Sequence, residues 1–178
     1  MDLAPLPIRD LSNRKVFVDY LLFYRSLMVA SGPLLKAAIE ELPAGEIKDY
    51  YIKHYSEEHE HAAWLEADLV NAGVTPTEIN WHAAELAGTQ YYLIKHMSPI
   101  MLLGYMYALE SRPMSLTDVA RLESWHGPEL CRTVRFHAIH DVDHRNDIIK
   151  IISKLPIRDK QLIAENAKRT AMSLAEGF

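Results

Sequence analysis

Cys131 is the only cysteine, so no disulfide can close within the chain, and a reducing compartment, the cytoplasm, is the expected location. Positive charge is not in excess either. Nineteen basic and 24 acidic residues give a net charge of -5 with the signs mixed along the chain. No basic stripe is available to neutralise phosphates, so nucleic acid is not an expected partner. Long apolar runs are also lacking. The strongest, HMSPIMLLGYMYAL at 96–109, falls short of the roughly 18 to 20 apolar residues a membrane-spanning helix needs. It reads as a buried helix, and no membrane association is expected. The opening MDLAPLPIRDLSNRK has no basic segment followed by an apolar one and does not read as a secretion signal.

What is present fits one folded domain spanning 1–178. Hydrophobic residues at 49% and charged residues at 24% are globular values, and 178 residues suffice for one core. Helical apolar spacing, broken by proline and glycine and without an alternating β pattern, predicts an all-α bundle of about seven helices. The first helix covers 13–30 and is closed by Ser31-Gly32-Pro33, with Pro33 starting a short helix over 34–42. A long helix runs from about 46 to 72 and stops at Gly73; the next covers 80–96. Ser98 as N-cap and Pro99 at the first helical position open an apolar helix that ends at Glu110. Ser115, three residues before Asp118, resembles a capping box. After Gly127-Pro128 a long helix covers about 128–153, and the last helix follows Pro156.

Six of the nine histidines lie in two short stretches, HYSEEHEH at 54–61 and HAIHDVDH at 137–144. Both place a carboxylate four residues after a histidine and a second histidine three residues later: His54, Glu58, His61 and His137, Asp141, His144. At about 100° per residue, such positions fall within roughly 60° of one another on one helix face. Imidazole and carboxylate suit iron, manganese and zinc, so each face can supply one flank of a metal site, and two facing flanks can enclose two ions. For 54–61 the alternative is an ordinary solvated polar face. The helix around the second stretch, TVRFHAIHDVDHRNDIIKII, has Val134, Ile148 and Ile149 among its polar residues, so it is partly buried and its ligand-type side chains need compensation. Glu110 closes the most apolar run. It would be costly if buried unpaired and is explained by metal coordination, unless it reaches water at the helix end near Arg112.

The order of these features resembles the heme-oxygenase-like diiron oxidases and oxygenases: a carboxylate and His61 on one helix, Glu110 within YALES on an apolar helix, then HxxxDxxH on a late helix. The resemblance covers about 46–150. It implies a heme-oxygenase-like helical bundle that holds two iron ions without heme and uses dioxygen as co-substrate. It further implies His61, Glu110, His137, Asp141 and His144 as ligands. Glu58 is the carboxylate partner of His61, with Glu57 as the alternative. His54 stands where some members carry that glutamate, so it is either an extra ligand or an outer partner of a Glu58 site. Three carboxylates, Glu58, Glu110 and Asp141, with neutral imidazoles would leave two ferrous ions a net charge of about +1.

The implied activity is that of an O2-dependent diiron oxidoreductase with a biosynthetic role. It would oxidise a small molecule such as an amino acid or fatty acid by N-oxygenation, desaturation or carbon–carbon cleavage, with an external reductant. Tyr107, His140, Asp143 and Asp147 are candidates for orienting the ligand imidazoles. Arg112 and Arg135 are candidates for holding a substrate carboxylate. Met101, Leu103, Met106 and Tyr107 either line a pocket or are plain core.

Other readings stay open at this point. Heme binding would want an axial histidine on the first helix, which has none. A thiaminase-like hydrolase would want a cysteine nucleophile, and Cys131 lies six residues before His137. Zinc or manganese on the same groups would suit hydrolysis. A non-enzymatic helical interaction protein would need no metal, and exposed apolar helix faces would allow a homodimer.

Overall fold

Asn13 opens the first helix by accepting from the backbone N–H groups of Lys15 and Val16, two of the donors a helix start leaves unpaired. The computed structural model describes residues 9–76 and 80–177. Regular structure among them is helical throughout: α1 (Arg14–Glu41), α2 (Glu46–Glu58), α3 (His61–Asn71), α4 (Trp81–His96), α5 (Leu102–Glu110), α6 (Leu116–His126), α7 (Arg132–Ser153) and α8 (Ile157–Gly177), with a 3-10 turn over Pro99–Met101. Because only two residues part α2 from α3, the bundle amounts to about seven helical rods, the all-α architecture the sequence predicts.

Several boundaries differ from the sequence expectation. Helix α1 does not stop at Ser31-Gly32-Pro33 but continues to Glu41 with Pro33 inside it. The missing Pro33 N–H costs a rung and, with its ring, about 3 kcal/mol. Leu27 before it and Leu34, Leu35, Ala37 and Ala38 after it are all buried in the same apolar cluster, which offsets that cost. The Ser31 hydroxyl donates to the Leu27 carbonyl at 3.0 Å and steadies the same turn. The expected 46–72 helix is divided at His59 and Glu60, where His59 directs both its N–H (3.1 Å) and its Nδ1 (3.0 Å) at the Tyr55 carbonyl. Helix α7 starts at Arg132, because Pro128 to Cys131 form a turn closed by Cys131 N–H on the Pro128 carbonyl. Ser98 is extended but makes no capping bond. Ser115 caps as expected, accepting from Asp118 N–H at 3.1 Å.

Helix α5 runs through the middle of the bundle, with eight of its nine residues buried. Gly104 is where α8 crosses it: a Cβ there would sit 2.3 Å from the Ile163 carbonyl oxygen and 2.8 Å from Ala167 N. Only a residue without a side chain permits that approach. Asn166 on α8 ties the crossing together, donating to the Met101 carbonyl (2.7 Å) and to Gln90 Oε1 (2.8 Å). A second apolar cluster, Phe17, Leu21, Leu65, Leu69, Leu122, Leu130 and Cys131, joins α1, α3, α6 and the start of α7. Tyr24 packs against both clusters. Among the described residues no helix is long and apolar enough to cross a membrane.

Candidate metal centre

The division between α2 and α3 decides how the first histidine stretch is used. His54 and Glu58 project from the last turns of α2 and His61 starts α3, which brings His61 Nδ1 to 2.6 Å from Glu58 Oε2. His61 is held by rings: Trp64 at 4.5 Å, Phe136 at 4.9 Å and His137 at 4.9 Å between centroids. Helix α7 presents His137, Asp141 and His144 toward these residues, and Glu110 at the end of α5 closes the gap between the two faces. Its Oε1 lies 3.1 Å from His54 Nε2 and its Oε2 lies 3.1 Å from His144 Nδ1. Glu58 Oε1 also approaches His144 Nδ1, at 3.4 Å.

The residues fall into two groups of three. Ligand atoms of Glu58, His61 and His137 lie within 4.8 Å of one another, and so do those of His54, Glu57 and His144. Glu110 touches both imidazoles of the second group, and Glu58 reaches across from the first. Asp141 stands behind His137, whose Nδ1 is 2.9 Å from Asp141 Oδ1. With that nitrogen donating, His137 Nε2 is left as a lone-pair donor, and it is buried without a partner. The same condition holds for His54 Nδ1, Glu58 Oε1, His61 Nδ1, Glu110 Oε2 and His144 Nδ1. Buried polar atoms are normally paired, and a bound ion is a standard explanation for a cluster that is not. Nitrogen and oxygen atoms close together but misaligned for hydrogen bonding fit a shared cation, so the donor set suits metal on both counts.

The electrostatics agree with a site built for positive charge. Burial opposes ionisation of Glu110, but the adjacent His144 and His54 imidazoles outweigh it and hold the carboxyl at about 2. The Glu110 carboxylate in turn lifts His144 to about 9 against the effect of burial. Burial also opposes the charged form of Glu58, yet the His61, His137 and His54 imidazoles bring it below the ordinary carboxyl range. His137 is disfavoured as a cation by burial and is nonetheless raised by Asp141, whose own carboxyl burial pushes up. Protons on imidazoles balance the carboxylates when no cation does, and a divalent ion would displace them.

Beside the two groups lies a cavity of about 130 Å³ between α1, α5 and α7, with Glu58, Glu110, His137 and Asp141 in its wall. Tyr20 and Tyr24 face it from α1 with their rings 4.6 Å apart. Burial raises both hydroxyls, Tyr24 to about 12.

All seven predicted ligand positions, His54, Glu58, His61, Glu110, His137, Asp141 and His144, are therefore brought together. Glu57 joins them at the exposed edge, 3.8 Å from His144 Nε2, while also facing Lys53 at 3.6 Å. The outer candidates are spread more widely. Tyr107 is buried in the core cluster and is absent from the cavity wall, as are Met101 and Leu103, whereas Met106 lines it. His140 is exposed and packs on Phe136 at 4.3 Å. Asp143 is exposed, and Asp147 accepts from Lys53 at 3.2 Å. Arg135 is committed to Glu123, its Nε donating at 2.6 Å, and lies outside the cavity wall. Arg112 is in that wall.

Cys131 is buried, its thiol is pushed up to about 11 by burial with Glu123 and Asp68 nearby, and it does not line the cavity. Such a thiol is a poor nucleophile. A residue that sequence reasoning passed over is Asp68. Almost fully buried, it accepts from Thr133 N–H (3.0 Å) and Thr133 Oγ1 (2.5 Å) and pairs with Arg132 at 2.7 Å. It lies seven residues after His61, hence on the same face of α3, which is the signal that pointed to it. Searches of family models, curated proteins and solved structures found no match to this chain.

Proposed function

We propose that the chain is a non-heme diiron oxidoreductase that activates dioxygen to oxidise a small molecule held in the adjoining cavity. The observation that carries the reading is the convergence of five buried, unpartnered ligand atoms, on Glu58, His61, Glu110, His137 and His144, from α2, α3, α5 and α7 into two adjoining groups. Glu58, His61 and His137 would hold one ion; His144, with His54 or Glu57, would hold the other; Glu110 would lie between them. Four carboxylates, Glu57, Glu58, Glu110 and Asp141, match the charge of two divalent ions, which suits a buried site better than a surplus of either sign. When bound, a pair of ferrous ions supplies the electrons that dioxygen needs and that no side chain here can provide.

The chain's own contribution is placement and exclusion. Asp141 fixes the tautomer and orientation of His137 through Nδ1, leaving Nε2 for metal. Glu110, whose carboxyl the His144 and His54 imidazoles pull well below the ordinary carboxylate range, supplies the negative charge between the two groups. The apolar wall formed by Leu27, Leu65 and Met106 limits water beside the carboxylates. The distribution of donors over four helices also means that the site requires the folded bundle.

The test is anaerobic Fe(II) titration of the metal-free protein, followed by exposure to oxygen with visible spectra recorded. Uptake of about two irons per chain and a transient visible band on oxygenation are expected. Failure to bind iron with the fold intact would defeat the diiron reading. Uptake of zinc with hydrolytic turnover and no reaction with oxygen would replace it with a metal-dependent hydrolase.

A further inference from the structure

We propose that the exposed face of α4 is a homodimer interface, on which a second copy of this chain packs its own α4 antiparallel about Gly88. Trp81, Glu85, Gly88 and Tyr92 lie within about 60° of one another on that helix. All four are exposed, Trp81 at 72% and Tyr92 at 58%, and Tyr91 at 52% flanks them. The opposite face carries the buried Ala83, Leu86, Gln90 and Ile94 and packs on α1 and α8. Aromatic rings left in water along one side of a helix are what protein interfaces concentrate. The three rings expose roughly 400 Å², about half of the roughly 800 Å² that each partner of a stable complex buries.

Gly88 adds an independent observation. It sits in the interior of α4, where glycine is among the costliest residues, yet a Cβ there would meet nothing within 4 Å. Gly104 is required by the approach of α8, whereas among the described residues nothing requires Gly88. Ala84, one turn earlier, is exposed as well. Two small residues between large rings form a hollow into which another helix can sink.

The order of large and small residues selects a second copy as the occupant. With a two-fold axis beside Gly88 and the helices antiparallel, Gly88 faces its own mate, each Tyr92 lies over the other copy's Ala84, and each Trp81 lies over the turn that carries Lys95 and His96. Every ring then meets a small residue or a basic one. Lys95 is kept in that turn by Glu41 at 2.7 Å. Parallel pairing would instead set Trp81 on Trp81 and Tyr92 on Tyr92, and the rings would hold the glycines apart. Charge follows the same order, because on this face of α4 Glu85 precedes Gly88 while Lys95 and His96 follow it. Antiparallel pairing sets the acidic half against the basic half. The contact needs no metal and is independent of the diiron reading.

Sedimentation equilibrium of the full chain across roughly 1–100 µM tests it. Twice the chain mass of 20.4 kDa is expected at the upper end. Gly88→Leu places two side chains on the axis and should leave a monomer throughout, and because leucine favours the helix over glycine the variant keeps its fold. Oxidation supplies the register. Gly88→Cys should cross-link to itself, Ser124→Cys, exposed on α6, should not, and Ala84→Cys mixed with Tyr92→Cys should give cross-linked heterodimers; the native Cys131 is buried and takes no part. A wild-type chain that stays monomeric, a Gly88→Leu chain that still dimerises, or Ser124→Cys cross-linking as completely as Gly88→Cys would each overturn the proposal. Cross-linking of Ala84→Cys and Tyr92→Cys only with themselves would mean parallel helices and would overturn it equally.

Discussion

His144 Nδ1 lies 3.1 Å from Glu110 Oε2, so the late helix α7 meets the apolar helix α5 through an imidazole and a carboxylate whose facing atoms are both buried and unpartnered. This contact couples the stability of the metal-free protein to pH in two opposite senses. His144 is raised from 6.5 to about 9, so its contribution is complete below pH 6.5 and disappears as pH rises through about 9. Glu110 is lowered from 4.5 to about 2, so its contribution is complete above pH 4.5 and disappears as pH falls through about 2. The raised Asp141 works against the second trend, and the lowered Glu58 works with it. Urea unfolding in the presence of a chelator should therefore give the greatest stability between pH 4.5 and 6.5 and a decline toward about pH 9. His144→Gln should flatten the alkaline decline; an unchanged profile would show that the pair does not titrate as a unit.

Metal binding should oppose the same protons. Because ligand imidazoles must be neutral, Fe(II) or Co(II) uptake should release protons and weaken as pH falls below about 9. Alanine at Glu58 or His137 should reduce uptake from about two ions per chain to about one, while alanine at Glu110 should weaken both sites. Metal analysis after equilibrium dialysis measures this directly. Loss of both ions in the Glu58 and His137 variants, with the fold intact, would mean that the two groups are not separable.

Gly104→Ala should destabilise the fold without touching a ligand. The added Cβ would lie 2.3 Å from a backbone oxygen of α8, which cannot swing aside as a flexible side chain can. Helices α5 and α8 would have to separate, at a cost of about 1–3 kcal/mol for overpacking a tight contact. Urea midpoints read the effect. Since Glu110 lies six residues further along α5, weaker metal binding should accompany the loss.

How far the sequence foretold this arrangement depends on which forces decide each feature. The second histidine face, Glu110 and the Ser115 cap were legible, because helical spacing and capping chemistry are local, whereas His61 reaches Glu58 from the start of a separate helix. The passage of α1 through Pro33 was not. Proline is a local stop signal, and here it is overridden by leucines buried on both sides of it. The break at His59 and Glu60 was hidden for a similar reason, since an imidazole competing for the Tyr55 carbonyl leaves no mark on apolar spacing. Glu58 ranked ahead of Glu57 as the partner of His61, and the two divide between the groups: Glu58 lies with His61 and His137, Glu57 with His54 and His144. Asp68 went unremarked because its value comes from Thr133 and Arg132, more than sixty residues away.

Asp68 supplies the sharpest separation of roles between the two halves of the site. It joins α3 to the first turn of α7, one turn before His137, through two hydrogen bonds to Thr133 and an ion pair with Arg132. Asp68→Ala leaves those donors without the charged acceptor and should cost about 2–4 kcal/mol. Asp68→Asn retains one acceptor and should cost less, about 1–2 kcal/mol, so it is the variant in which metal binding can be read. Its effect should fall on the Glu58, His61 and His137 group, since His61 and His137 stand on the two helices that Asp68 joins. The His54, Glu57 and His144 group is anchored instead through α2, α5 and the middle of α7. Stepwise Co(II) titration of Asp68→Asn should then show one site weakened and the other unchanged. Equal weakening of both would mean that Asp68 supports the bundle as a whole and does not position one half of the centre.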